Sequence, residues 1–236
     1  MNVVEAIIKD ISPPRRKASG VWVGLHWTAV RSKYMGVAHT CKTGVAQSIG
    51  NGGALASMRI DELCGMALSD NTLEASVGCA AVNSLIKPRG KKGNVEALFR
   101  KLGRGKAVSI IGRFPFNDDM RRIAGKCYVL EMNPVGDELP AAAAEDVLPK
   151  CDLNIITATT LINHTIDRLL ELGSGGTTII LGPTTPFSDI LFERGADILA
   201  GIRVTDSVKL AETVTQGVKK FRDIGGIEPL YLTRDH

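Results

Sequence analysis

The chain has 236 residues, of which 44% are hydrophobic and 23% charged, and its formal net charge is +4. These proportions are ordinary for a soluble globular protein and exclude a disordered or fibrous chain. The chain contains no apolar run of the roughly 18 residues that cross a membrane, and its charged start is not typical of a signal peptide. We therefore expect a soluble, cytoplasmic protein with no membrane partner.

Residues 1–87 are predicted to form a small α+β domain. Apolar residues at helical spacing and a pair of prolines define the first helix, and two apolar runs around a short polar turn indicate a hairpin. The predicted elements are a helix, two strands, a glycine-rich loop and two helices, over residues 3–11, 20–30, 34–41, 42–53, 59–68 and 72–86.

The last of these helices carries mostly small side chains between Ala75 and Ala81. Small side chains let another backbone approach closely, so this helix is predicted to pack tightly against a sheet. A ligand that approaches Gly78 or Asn83 is the alternative interpretation.

Residues 88–106 are predicted as a basic linker with a short helix. Residues 87–106 contain eight basic residues against one acidic residue, a local charge of +7. The segment contains one aromatic residue and no stacking motif, so a nucleic-acid partner is not expected.

From residue 107 onward, the chain repeats a short apolar run, a polar tip and a helical segment five times. Continuous apolar runs are typical of strands buried on both faces, and the intervals leave room for crossover helices. A parallel sheet with helices on both sides is therefore predicted for residues 107–236. The five runs cover residues 107–112, 127–132, 153–158, 177–182 and 197–202.

The polar tips of these strands are the expected ligand site, because such sheets bind ligands outside the carboxyl ends of their strands. The tips supply hydroxyls, amides and one charge of each sign. Helix capping explains part of this composition, but five polar tips along one edge favour a site for a small molecule or an ion. The candidate ligand residues on the first four tips are Arg113, Glu131, Asn133, Thr159, Thr160, Asn163, Thr184 and Thr185, and the fifth tip is Thr205 and Asp206.

Ordinary dinucleotide binding is not expected from the first of these tips. No Gly-x-Gly-x-x-Gly motif follows the strand, residues 113–116 include large side chains, and Asp118 and Asp119 would repel a phosphate. One feature points the other way, because Glu131 ends the second strand, where dinucleotide folds place a ribose-binding acid. The chain also lacks the Walker, His-Glu-x-x-His and Gly-x-Ser-x-Gly motifs.

His39 and Cys41 are the candidate metal ligands. They lie two residues apart at the end of a predicted strand and therefore on one face. An imidazole beside a thiol suits a soft or borderline transition metal. Two ligands are too few, so Glu131 or Cys79 would have to complete the site; the alternative is a half-buried pair without a metal. The five cysteines show no disulfide or structural zinc spacing.

Eight stretches of the sequence carry a family resemblance, at residues 23–30, 36–40, 74–85, 111–116, 130–134, 159–163, 181–186 and 197–201. Over these stretches the sequence resembles a family of uncharacterised prokaryotic proteins described as putative heavy-metal chelation proteins. The resemblance implies a domain similar to the N-terminal domain of enolases, followed by a Rossmann-like domain, with the active site in the cleft between them. It places Gly112, Phe114, Glu131, Asn133, Thr159, Asn163, Thr184 and Thr185 on one side of the cleft, and Asn83 with the loop 42–53, as a lid, on the other.

Three functions are compatible with these features. The first is binding of a heavy metal or metal chelate in the cleft, with ligands from Glu131, His39 and Cys41. The second is a Rossmann-like enzyme for a small anionic substrate or nucleotide, with Glu131 holding a hydroxyl and Arg113 an anion. The third is a scaffold whose basic segment contacts a partner. Catalysis and self-association into a homo-oligomer stay open.

Overall fold

The structure is a computed structural model and describes residues 1–42, 48–93 and 95–234. The helices are α1 (Val3–Ile11), α2 (Ile60–Gly65), α3 (Thr72–Asn83), α4 (Val95–Gly103), α5 (Asn117–Ile123), α6 (Ala144–Val147), α7 (Ile166–Leu172), α8 (Asp189–Glu193) and α9 (Ser207–Thr215). The strands are β1 (Gly20–Val23), β2 (Trp27–Arg31), β3 (Met35–His39), β4 (Lys91–Lys92), β5 (Ala107–Ile111), β6 (Lys126–Glu131), β7 (Leu139–Pro140), β8 (Leu153–Thr157), β9 (Thr177–Leu181), β10 (Ile198–Val204) and β11 (Ile227–Thr233).

The first part of the chain forms an antiparallel sheet, β1-β2-β3, which packs against the buried helix α3. The single strand predicted over residues 20–30 is wrong, because a turn separates β1 from β2. In this turn the Gly24 amide donates a hydrogen bond to the Trp27 carbonyl. A Cβ on Gly24 would lie 2.1 Å from the carbonyl oxygen of Val214, so the turn packs directly on the end of α9.

The larger sheet has the order β4-β11-β10-β9-β8-β5-β6-β7 within the described residues. Strands β5 to β10 are mutually parallel, whereas β11 is antiparallel to β10 and β4 is antiparallel to β11. Numbered along the chain, the six parallel strands have the order 3-2-1-4-5-6, which is the order of doubly wound, Rossmann-like sheets. The predicted parallel α/β sheet is confirmed.

Three strands were not predicted, and each has a local reason. Strands β4 and β7 contain two residues each, and β11 contains Pro229, a residue that disfavours strands. The predicted linker 88–106 therefore supplies a strand of the sheet, and its exposed Lys91 and Lys92 are typical of an edge strand. The proposed domain limits, 1–87 and 107–236, stay a prediction.

The apolar core on one face of the large sheet continues into the core of the first part of the chain, and includes Ile7 and Leu63 together with Ile156 and Ile180. A second cluster lies under α4 and α5 on the opposite face. A third joins the small sheet to α9 and the end of β10, with Trp27, Val37, Leu210, Val214 and Ile202. The first part of the chain is therefore docked over the carboxyl ends of β9 and β10. Among the helices of the described residues, none combines the length and apolar character needed to cross a bilayer.

Candidate functional site

The carboxyl ends of β5 and β8 lie side by side, where the strand order of the sheet reverses. Doubly wound sheets bind their ligands at this position. Gly112 follows β5 with a φ of 117°, and a Cβ there would lie 3.2 Å from Thr157 Cβ and 3.3 Å from the Phe114 ring. The Thr157 and Thr159 hydroxyl oxygens are 3.0 Å apart, and both side chains are half-buried. The structure therefore brings together Gly112, Phe114 and Thr159, three of the predicted site residues.

The turn between β5 and α5 is closed by its own side chains. Asn117 Oδ1 accepts a hydrogen bond from the Phe114 amide, at 3.3 Å, and Asn117 Nδ2 donates one to the Gly112 carbonyl, at 3.1 Å. The Phe114 and Phe116 rings are stacked, with centroids 5.1 Å apart. This turn therefore fills the place where a glycine-rich loop would receive a diphosphate.

Arg113 is bound within the protein rather than left open for an anion. Its Nε donates to Glu138 Oε1 at 2.7 Å, and its Nη2 donates to the Asn133 carbonyl at 2.6 Å. The hydrogen bonds from Arg113, followed by one from the Val135 amide, lower the pKa of Glu138 to about 2. Arg113 and Glu138 therefore hold the loop over residues 132–138 against the end of β5. Sequence reasoning missed Glu138, which lies 25 residues from Arg113.

Glu131 is half-buried at the end of β6, where it pairs in register with Pro140 of β7. The Gly112 amide donates a hydrogen bond to the Leu130 carbonyl at 3.0 Å, so the next residue, Glu131, lies beside the end of β5. The hydrogen bond that Arg113 donates to Glu138 is the largest cause of the raised pKa of Arg113, and the charge of Glu131 contributes to it. Within the described residues, the Glu131 carboxylate takes part in no hydrogen bond or ion pair.

Asn83, Thr184 and Thr185 lie at the junction between the two parts of the chain. Asn83 Nδ2 donates to the carbonyls of Val37 and Thr184, at 2.9 Å each, and Thr184 Oγ1 accepts from the His39 amide at 3.0 Å. Thr185 Oγ1 donates to the Ala200 carbonyl. Two cavities beside Asn83 have volumes of about 20 and 10 Å³, room for about one water molecule each. These three predicted ligand residues thus make structural hydrogen bonds, and the junction is closed around them.

Asn163 and His164 form the turn between β8 and α7. Asn163 Oδ1 accepts a hydrogen bond from Thr165 Oγ1 at 2.7 Å, which caps the turn. His164 has a φ of 60°, and its Nε2 is buried without a hydrogen-bond partner in the described residues. A left-handed backbone at a residue other than glycine is a form of strain that clusters at functional sites. This signal comes from the backbone and has no counterpart in the sequence.

The predicted lid, residues 42–53, is described in part, because residues 43–47 lie outside the described residues. Beyond them, the Ser48 carbonyl accepts a hydrogen bond from Asn71 Nδ2, and the Gly50 amide donates to Glu74 Oε1. This end of the loop is therefore held against the start of α3. The lid role stays a prediction.

The candidate metal ligands His39 and Cys41 do contact each other, with Cys41 Sγ 3.5 Å from His39 Nδ1. Burial lowers the pKa of His39, with smaller contributions from His26 and Lys42, and burial raises the pKa of Cys41 to about 11. At neutral pH the pair is therefore a neutral imidazole and a protonated thiol. Residues 1–42, 48–93 and 95–234 contain no group of three His, Cys, Asp or Glu residues that could hold a metal ion, so neither Glu131 nor Cys79 completes a site there.

Models of two protein families match this chain. The model of the DUF364 family, described as "Putative heavy-metal chelation", matches residues 94–224, which is more than half of the chain. The chain belongs to the DUF364 family. A second model with the same description, DUF4213, matches residues 4–86. The family resemblance expected from the sequence is confirmed.

Two solved structures of DUF364 proteins with unknown function share this fold. The protein from Desulfitobacterium hafniense DCB-2 has a TM-score of 0.85 and 23% identity, and the match covers 98% of this chain and 97% of that one. The protein from Pyrococcus horikoshii has a TM-score of 0.76 and 22% identity, with 98% of both chains covered. No curated protein matches the chain. At these identities the two structures support the fold alone.

Any binding of a bare metal ion by the His39–Cys41 pair of this DUF364 protein is expected to be weak and to depend steeply on pH. Ligation requires the thiolate, and the Cys41 pKa of about 11 lies above the working range. One proton must therefore leave on binding, so the Zn²⁺ affinity should rise about tenfold per pH unit between about pH 7 and 9. Competition with a chromophoric chelator measures this slope, and Cys41→Ser should abolish it. A flat affinity that still requires Cys41 would contradict the raised pKa.

Proposed function

We propose that this protein binds a metal ion already held by a small organic chelator, at the crevice between the ends of β5 and β8. The observation that carries the proposal lies at the point where the strand order reverses. There the Thr157 and Thr159 hydroxyl oxygens lie 3.0 Å apart at the end of β8, and the Cβ and methyl group of Thr157 pack beside Gly112. The description of both family models, which names heavy-metal chelation, supports a metal as part of the ligand.

The chemistry of the crevice favours a complexed metal over a bare ion. Half-buried hydroxyls and main-chain groups beside a glycine form hydrogen bonds to carboxylate and hydroxyl oxygens, which are the outer atoms of an organic chelator. Hard hydroxyl oxygens are poor ligands for soft metals, whereas the soft ligand Cys41 is protonated at neutral pH. A chelator supplies the metal's ligands and leaves its own polar edge for recognition by the protein.

Calorimetric titration with Zn²⁺, Ni²⁺ and Cu²⁺, each alone and as its citrate complex, tests this proposal. We expect the citrate complex of at least one metal to bind more tightly than the bare ion. Thr159→Val keeps the side-chain volume but removes a hydroxyl, so it should weaken that complex by about tenfold. Thr215→Val, which removes a hydroxyl from the exposed end of α9, is the matched control and should leave binding unchanged.

Three outcomes contradict the proposal. The bare ions could bind more tightly than their citrate complexes and lose that binding in Cys41→Ser, which would assign direct ligation. A second contradicting outcome is that neither the bare ions nor their citrate complexes bind to the protein. The Thr159→Val and Thr215→Val proteins could bind the complex equally well, which would place it elsewhere.

A further inference from the structure

We infer that Glu131 forms a subsite for the vicinal diol of a ribonucleoside that carries no diphosphate. This subsite lies between the ends of β5 and β6, whereas the proposed chelate crevice lies between β5 and β8. The inference is therefore independent of the metal proposal, and each can fail without the other.

The position of Glu131 in the sheet is the first argument. With the parallel strands numbered along the chain, β5 is the first strand and β6 the second, and both occupy the places that they have in doubly wound sheets. Glu131 is the last residue of β6. In that architecture, an acidic residue at the end of the second strand accepts hydrogen bonds from ribose hydroxyls.

The state of the carboxylate is the second argument. Carboxylates near the Glu131 site are used within the protein, since Glu138 binds Arg113 and Asp137 binds Arg121. Glu131 is half-buried and interacts electrostatically with Arg113, yet its carboxylate forms no hydrogen bond within the part of the chain that is described. A half-buried carboxylate with both oxygens open suits two hydroxyl donors, because a vicinal diol presents two O–H groups side by side.

The turn that follows β5 excludes a ligand with a diphosphate group. Binding of a diphosphate at this position requires a glycine-rich turn with exposed amides. Here the Asn117 side chain engages the Phe114 amide, and Phe114 stacks on Phe116. Asp118 and Asp119 follow in the first turn of α5 and already pair with Arg121 and with Arg100 and Arg122, so the exclusion rests on the closed turn. The ligand therefore presents a diol to Glu131 without a diphosphate on the β5 turn.

The loop after β6 provides apolar surface for the base. Met132 and Val135 follow Glu131, and they are 61% and 69% exposed. The Arg113–Glu138 contact fixes this loop against the β5 tip. An exposed apolar surface next to an open carboxylate matches the two ends of a nucleoside, a planar base and a polar sugar.

Calorimetric titration of the full chain with adenosine, guanosine, cytidine and uridine tests the inference. We expect at least one of these ribonucleosides to bind, its 2′-deoxy and 3′-deoxy analogues to bind at least about tenfold more weakly, and its 5′-diphosphate to bind no more tightly than the nucleoside. Glu131→Gln keeps the shape but removes the charge, and it should weaken ribonucleoside binding by about tenfold or more. Asp137→Asn is the control, because this carboxylate is exposed on the same loop and should not affect binding.

The inference is overturned if none of the four ribonucleosides binds to the wild-type protein, or if the deoxy analogues bind as tightly as the parent. It is equally overturned if Glu131→Gln retains full affinity, provided that circular dichroism shows both variants folded. A diphosphate that binds more tightly than its nucleoside would refute the exclusion by the β5 turn. Because no metal or citrate is present, none of these outcomes bears on the proposed chelate site.

Discussion

Replacing Gly78 by alanine is expected to lower the free energy of unfolding by at least about 3 kcal/mol. Gly78 lies in the buried helix α3, and a Cβ there would lie 1.9 Å from the amide nitrogen and 2.4 Å from the Cα of Ala67. Both atoms belong to the backbone, so no side-chain rotation relieves the clash, and α3 must move away from the turn over residues 66–68. Urea denaturation followed by circular dichroism measures the loss.

Gly65 offers a matched control at the end of the neighbouring helix α2. It is exposed, and a Cβ there would have no atom within 4 Å. Alanine is a better helix former than glycine, so Gly65→Ala should be neutral or stabilise the protein by up to about 1 kcal/mol. If Gly78→Ala were within about 0.5 kcal/mol of the wild type, the close approach of α3 to Ala67 would be wrong.

The sequence of α3 predicts this close packing but not its partner. Small side chains between Ala75 and Ala81 indicate that another backbone comes near. Which backbone it is depends on how residues 66–68 fold back over the helix, and no periodicity in the chain encodes that contact. The same limit separates the strands that were predicted from those that were missed. Buried parallel strands have continuous apolar runs, which the sequence shows. The apolar run of β11 is interrupted by Pro229, so this strand is recognised from its pairing with β10 in the structure.

The candidate site likewise has features that the sequence predicts and features that it does not predict. Gly112, Phe114 and Thr159 come together because parallel topology places the ends of β5 and β8 at one edge, and the pattern of apolar runs was enough to predict that. The sequence does not predict the hydrogen-bond partners of the polar residues at these strand ends. Arg113 is engaged by Glu138, and Thr184 by the His39 amide, through contacts that span 25 and 145 residues. Polar residues at strand ends are therefore predictable as a group, but which of them stay open to a ligand depends on tertiary docking.

Asn83 is the predicted site residue for which a structural role and a ligand-binding role lead to clearly different measurements. Its amide donates to a carbonyl of β3 and to the Thr184 carbonyl beyond β9, so one side chain links the small sheet to the end of the large one. Asn83→Ala removes two hydrogen bonds at a half-buried junction and is expected to cost about 2 kcal/mol of unfolding free energy. Amide exchange at His39, whose N–H is bonded to Thr184, should accelerate in parallel, because the same junction loosens.

Asn163→Ala is the comparison variant, since the Asn163 side chain bonds to Thr165, two residues away, and should cost no more than about 1 kcal/mol. The two roles assigned to Asn83 predict different results. A structural role lowers stability and leaves the affinity for any crevice ligand nearly unchanged, because Thr157 and Thr159 belong to a different strand end. A ligand-binding role, as the sequence predicts, lowers affinity in a protein that unfolds like the wild type. Unfolding and titration of the same Asn83→Ala sample therefore separate the two roles, and the bonds to Val37 and Thr184 lead us to expect the first result.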